Sequence, residues 1–118
     1  MAVLVVDDHP LVLAFLARVL ADEGYDVLMA ENGQVALDIV LAQAGGIQLV
    51  ISDLRMPVMG GLELATHLSK LASAPPVLLI SGYETAAGAI LYPVLPKPFT
   101  PNQLARHVRS MLDGSPQA

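Results

Sequence analysis

Five short aliphatic runs punctuate the chain: Ala2 to Val6, Val27 to Ala30, Ile47 to Ser52, Pro76 to Ile80 and Ile90 to Leu95. None alternates apolar with polar residues, so each is predicted to be a strand covered on both faces, as in a parallel sheet. Between the first two runs, Val12, Phe15, Leu16, Val19 and Leu20 recur at i, i+3, i+4, i+7 and i+8, a helical stripe that Gly24 closes. Leu13, Ala14 and Ala17 fall outside that stripe. Gly33 to Ala44 and Leu62 to Leu71 are the next helical stretches. Thr100-Pro101-Asn102-Gln103 reads as a capping box with proline at the first helical position, opening a last helix that ends near Asp113. Strand and helix alternate about five times, and right-handed crossovers then give an α/β fold, a doubly wound five-stranded parallel sheet with helices on both faces. Between Ile80 and Ile90 there is room for about one or two helical turns, weakened by Gly82 and Gly88, so a fourth helix there is expected to be short or absent. The reading is one domain over residues 1–113 and a fraying tail over 114–118.

Composition narrows the function classes. At 118 residues the chain is long enough for one domain with a sizeable core and too short for a second catalytic one. Six basic residues against eleven acidic ones give a net charge of −5. The basic residues are scattered from Arg18 to Arg109, which argues against a nucleic-acid surface. With no cysteine, disulfides, thiol nucleophiles and zinc-thiolate sites are excluded, and a reducing cytoplasm is the expected location. No apolar run approaches the ~18 residues of a spanning helix, so membrane insertion is not expected. Charged residues make up only 14% of the chain, so apolar surface is expected to remain exposed and to dock a protein partner.

In open α/β sheets the ligand site lies beyond the carboxyl ends of the strands. The residues leaving the strands are Asp7 and Asp8, Asp53, Ser81 and Lys97. Three carboxylates on one rim repel unless a cation sits among them, and a hard divalent ion, Mg²⁺ (or Mn²⁺), resolves the repulsion. Lys97 adds an ammonium and Ser81 a hydroxyl donor, which suits a phosphoryl group held between them. A neighbouring carboxylate is then a competent nucleophile toward phosphorus, and Asp53 is the candidate. His9, His67 and His107 show no ligand spacing and read as surface or helix-end residues.

Four blocks carry a family resemblance: Val3-Leu4-Val5-Val6-Asp7-Asp8, Ser52-Asp53-Leu54-Arg55-Met56-Pro57-Val58-Met59-Gly60-Gly61, Leu79-Ile80-Ser81-Gly82 and Leu95-Pro96-Lys97-Pro98-Phe99. In this order and at these spacings, 45 residues from Asp8 to Asp53 (53 − 8) and 28 from Asp53 to Ser81 (81 − 53), the chain resembles the flavodoxin-like receiver domain of two-component response regulators. The resemblance implies that Asp53 is phosphorylated from a phosphohistidine on a histidine kinase or phosphotransfer protein. It implies Mg²⁺ held by Asp8, Asp53 and the backbone carbonyl of Arg55, with Asp7 assisting through water. Ser81 would bind a phosphoryl oxygen, Lys97 would pair with the phosphate, and the Lys97–Pro98 bond would be cis. Arg55 and Tyr83 would tune the lifetime of the aspartyl phosphate.

Two departures bear on the switch. Only 16 residues separate Ser81 from Lys97 (97 − 81), fewer than receivers usually have, and the position three before the lysine holds Val94 where they tend to carry an aromatic. Tyr92 shares that strand face by parity. Receivers with a Ser-Gly-Tyr end to the fourth strand and no regular fourth helix are the most similar subset, and the receiver of a hybrid histidine kinase fits equally. A degenerate receiver acting as a constitutive interaction module is the alternative. A phosphohydrolase on this sheet would want D-x-D after the first strand and a cap domain, and a flavin-binding protein a hydroxyl-rich loop there. The apolar face of Leu13, Ala14 and Ala17 is expected to dock on the helical bundle of the phosphodonor.

Overall fold

A computed structural model describes residues 1–43, 45–82 and 92–113. In chain order the elements are β1 (Ala2–Val6), α1 (Pro10–Asp22), β2 (Asp26–Ala30), α2 (Gly33–Ala42), β3 (Ile47–Asp53), α3 (Gly61–Ser69), β4 (Val77–Ser81), β5 (Val94–Pro96) and α4 (Pro101–Asp113). The strands form one parallel sheet in the order β2-β1-β3-β4-β5.

Alternate residues of each strand serve opposite faces. Leu4, Val6, Val50 and Leu79 pack under α2 and α3 with Ala36, Val40, Leu64 and Leu68. Val3, Val5, Leu49, Ile51, Leu78 and Ile80 pack under α1 and α4 with Leu16, Leu20, Leu104 and Val108. Both faces of β1, β3 and β4 are covered, which is why their sequences show no polar alternation, while the edge strand β2 leaves Met29 exposed. The expected doubly wound five-stranded sheet is therefore present.

Helix ends follow local chemistry. Gly24 adopts φ +95° after α1, and the N–H groups of Gly24 and Tyr25 donate to Ala21 and Leu20 carbonyls at 3.0 and 3.1 Å, closing the helix in a left-handed turn. Asn32 caps α2 through Oδ1, which accepts the Val35 N–H at 2.9 Å. The capping box before α4 is reciprocal: Thr100 N–H donates to Gln103 Oε1 at 2.8 Å, and Gln103 N–H to Thr100 Oγ1 at 3.1 Å.

Two sequence expectations are corrected. Leu13 and Ala17 are partly buried and pack against the α1/α4 core, so they do not form an outer face. The contact face takes in Val12, Leu13, Leu16, Ala17, Val19 and Leu20, so the expected stripe holds except at Phe15 and is widened by Leu13 and Ala17. α1 is apolar nearly all round, so periodicity marks the middle of its buried face, Leu16 and Leu20, better than its edges, and packing against the sheet and α4 sets the width. The exposed apolar positions are Leu11 at 86%, Phe15 at 39%, and Ala14. The fifth strand covers only Val94–Pro96, after Pro93, whose carbonyl accepts the Leu79 N–H at 3.0 Å. The segment of the questioned fourth helix, with Tyr83, and the tail from 114 lie outside the described residues.

Candidate functional site

Strand register gathers the polar residues on one rim. Val6 pairs with Ala30 and Ser52, Asp53 with Ile80, and Ser81 with Pro96, so the residues at or just beyond these pairs leave the sheet together. Asp7 follows β1, tied by its N–H to the Ala30 carbonyl at 3.2 Å. Asp53 and Ser81 end their strands. Lys97 follows β5, its N–H donating to the Ser81 carbonyl at 2.7 Å, and the Lys97–Pro98 bond is cis.

The rim is buried and acidic. Asp7 is 1% exposed and Asp53 6%. One carboxylate oxygen each of Asp7, Asp8 and Asp53 and a ring nitrogen of His9 all lie within 4.8 Å of one another. Asp7 Oδ1 accepts the His9 N–H at 2.8 Å, while Asp7 Oδ2 and Asp8 Oδ1 are buried without a hydrogen-bond donor. Leaving two such oxygens unsatisfied is costly, and a hard cation is the group that satisfies both at once. The donor set therefore fits Mg²⁺, as the sequence implied. On the other side, the Lys97 ammonium lies 3.5 Å from Asp53 Oδ2. Burial pushes the Asp53 carboxyl above the usual carboxylate range and the charge of Asp7 adds to this, while the Lys97 ammonium and a backbone hydrogen bond from Arg55 act against it. The cleft between them is lined by His9, Asp53, Leu54, Arg55, Ser81, Gly82 and Lys97.

Glycine sets how closely the chain passes the site. A Cβ on Gly61 would press on the Asp53 carbonyl oxygen and stand 3.1 Å from Leu79 Cδ2, so α3 begins directly against the end of β3. Between them Val58 holds φ +70°, rare for a β-branched residue, in a three-residue turn closed by the Met59 N–H on the Pro57 carbonyl at 2.7 Å. That turn sends Met59 inward, where it is 6% exposed and its carbonyl accepts the Gly33 N–H at 3.2 Å.

All the strand-end residues singled out in the sequence, Asp7, Asp8, Asp53, Ser81 and Lys97, meet at this rim, with Arg55 at its edge. His9 was missed: its Nδ1 lies 3.2 Å from Asp7 Oδ1 and 3.3 Å from Asp8 Oδ1. The signal was adjacency to the Asp pair, which only the turn into α1 makes meaningful. Val94 and Tyr92 both pack on the α2/α3 side of the sheet, so the position usually aromatic faces that layer.

A model of the response regulator receiver domain matches residues 3–109. The chain is 37% identical over 117 residues to the sensor kinase CckA of Brucella abortus, covering 94% of this chain and 12% of that protein. It is 38% identical over 101 residues to a response regulator receiver protein of an Anaeromyxobacter species, covering 80% and 42%. The chain thus spans less than half the length of either relative. Among solved structures, the receiver domain of a hybrid histidine kinase CckA aligns with a TM-score of 0.82 at 38% identity, covering 95% of this chain and 99% of that one. A response regulator receiver domain protein from Clostridium thermocellum aligns with a TM-score of 0.88 at 26% identity, covering 97% and 96%. With a buried acidic rim, a facing lysine and a family match over nearly its whole length, the chain belongs to the response regulator receiver domains of two-component signalling.

Proposed function

We propose that Asp53 is the phosphoacceptor, taking a phosphoryl group from a phosphohistidine of a histidine kinase or phosphotransfer protein in the cytoplasm. The observation that carries this is the placement of Asp53, with an ammonium 3.5 Å away on one side and two donor-less buried carboxylate oxygens on the other. In the reaction a carboxylate oxygen of Asp53 forms the new O–P bond as the P–N bond to the donor imidazole breaks, and the nitrogen keeps the electron pair. Asp8, Asp53 and the Arg55 carbonyl would hold Mg²⁺ (or Mn²⁺), with Asp7 acting through water, and the ion would neutralise phosphoryl charge. Lys97 orients and neutralises a second phosphoryl oxygen, and the Ser81 hydroxyl donates to a third. Asp7 keeps the pocket electronegative until the cation arrives. Arg55, which lines the cleft, and Tyr83 tune the lifetime of the aspartyl phosphate.

The donor docks over the exposed apolar positions of α1 nearest the site, Leu11, Ala14 and Phe15, the last paired with Phe99 at a ring separation of 6.2 Å. Intact mass after incubation with acetyl phosphate and Mg²⁺ tests the chemistry. A phosphoryl adduct that disappears in Asp53→Asn and in chelator supports it. No adduct in the wild-type chain overturns it and leaves a constitutive interaction module. Ala14→Glu is expected to slow transfer from a protein donor while sparing transfer from acetyl phosphate, and equal slowing of both refutes the docking face.

A further inference from the structure

His9 stands at the acidic rim with a ring nitrogen turned toward the carboxylates, a placement that phosphotransfer does not use. Its Nδ1 lies 3.2 Å from Asp7 Oδ1 and 3.3 Å from Asp8 Oδ1. An ion bonded to nitrogen and oxygen at about 2.0–2.1 Å spaces neighbouring ligand atoms by roughly 2.8–3.0 Å in octahedral and 3.3–3.4 Å in tetrahedral geometry. The His9 nitrogen therefore already stands at ligand-to-ligand spacing from one oxygen of each carboxylate, before any ion is considered. The second observation is the buried carboxylate of Asp7, 1% exposed, whose Oδ2 has no hydrogen-bond donor although its neighbour oxygen accepts the His9 N–H. The His9 side chain is 68% exposed, so its other nitrogen is open to water while Nδ1 faces the carboxylates.

An all-oxygen site suits Mg²⁺, whereas an imidazole nitrogen suits Zn²⁺, Co²⁺ and Ni²⁺, which also rank above Mn²⁺ for mixed nitrogen and oxygen ligands. We propose that His9 makes this rim a mixed nitrogen and oxygen site that binds borderline transition ions through His9, Asp7 and Asp8, in competition with Mg²⁺ for the same carboxylates. The inference rests on reading those carboxylates as the metal site. A transition ion held there also draws the imidazole over the mouth of the cleft that His9 lines with Asp53 and Lys97. The receiver would then sense the balance of transition ion to Mg²⁺ at the residue that must accept phosphate.

The test is direct binding on the full chain, with Co²⁺ and Mg²⁺ each titrated calorimetrically and the Co²⁺ visible spectrum recorded. Wild type, His9→Ala and Asp8→Asn are compared, with His67→Ala in all three backgrounds because His67 and Glu63 pair along α3. The expected result is that His9→Ala lowers the ratio of Co²⁺ to Mg²⁺ affinity by about tenfold or more and shifts the Co²⁺ absorption as nitrogen is replaced by water. An unchanged ratio and spectrum in His9→Ala, with both ions weakened by Asp8→Asn, overturns the role of His9 and leaves the carboxylate site standing. Mg²⁺ binding indifferent to Asp8→Asn overturns the carboxylate reading and the inference with it.

Discussion

Replacing Gly33 by alanine sets helix propensity against packing with opposite signs. Gly33 is the first residue of α2, and on propensity alone Gly→Ala gains about 0.5–1 kcal/mol. The added Cβ, however, would fall 2.6 Å from the Met59 carbonyl oxygen and 2.8 Å from Met59 Cβ and Cγ, against an ordinary contact of 3.4 Å or more. The shortfall of 0.8 Å to the carbonyl (3.4 − 2.6) is with backbone, which no rotamer change relieves. Opening that gap also stretches the 3.2 Å hydrogen bond from Gly33 N–H to Met59 O, worth about 0.5–1.5 kcal/mol. Overpacking of this kind costs about 1–3 kcal/mol. The net expectation is destabilisation by about 1–3 kcal/mol, or about 4 °C in Tm per kcal/mol for a domain of this size. Urea unfolding followed by far-ultraviolet circular dichroism measures it, with an unchanged slope showing that only stability moved. A variant as stable as the parent or more so refutes the close approach of α2 to the loop after β3.

Gly61→Ala, whose Cβ meets the Asp53 carbonyl, is expected to slow acetyl phosphate labelling by more than its loss of stability explains, since a displacement near 1 Å can cost about 100-fold in rate; labelling at the parental rate refutes this. Asp53 is raised by burial and by Asp7, so its carboxyl favours folding below about pH 3.8 and that contribution is lost as pH rises through the higher folded value. At pH 7 in chelator, Asp53→Asn should therefore melt above wild type, and Mg²⁺ should raise the Tm of wild type more than that of the variant; a lower-melting variant contradicts the sign. Burial lowers His107 below its ordinary 6.5, so the unfolded chain binds the proton more tightly and stability falls as pH drops through 6.5 toward the folded value. His107→Asn should flatten the stability profile over that window, and an unaltered slope would show that His107 does not cause it. Val58→Gly at φ +70° relieves about 1–2 kcal/mol of left-handed strain against about 0.5–1 kcal/mol of glycine entropy, so an unfolding free energy higher by up to about 1.5 kcal/mol is expected from urea unfolding, and a lower one excludes strain there.

The fold was legible because its signals are redundant. Continuous aliphatic strands report burial on both faces, and Thr100 to Gln103 spells out its own cap. The rim was legible because each member stands at a strand end, where topology fixes direction without knowledge of packing. What escaped were features set by which way a surface turns. α1 offers apolar residues on almost every side, so periodicity located Leu16 and Leu20 with Val12 and Val19, and only contact with the sheet and α4 showed that Leu13 and Ala17 widen the same face and that Phe15 stays exposed. His9 escaped because its role comes from a turn of the chain after Asp8, a local geometry that ligand spacing along the sequence does not encode. Met59 and Gly33 are 26 residues apart (59 − 33), and nothing local to either announces that their backbones touch.

Among the described residues the sheet divides the interior into two cores that share no side chain, one beneath α1 and α4 and one beneath α2 and α3. A partner gripping one side disturbs the other through strand backbone, the material both sides have in common. Each of those strands runs out at the same rim, at or next to Asp7, Asp53, Ser81 and Lys97. The acidic rim is thus a place where strain from either half of the molecule arrives, and a ligand there can address both halves at once without a dedicated relay to either.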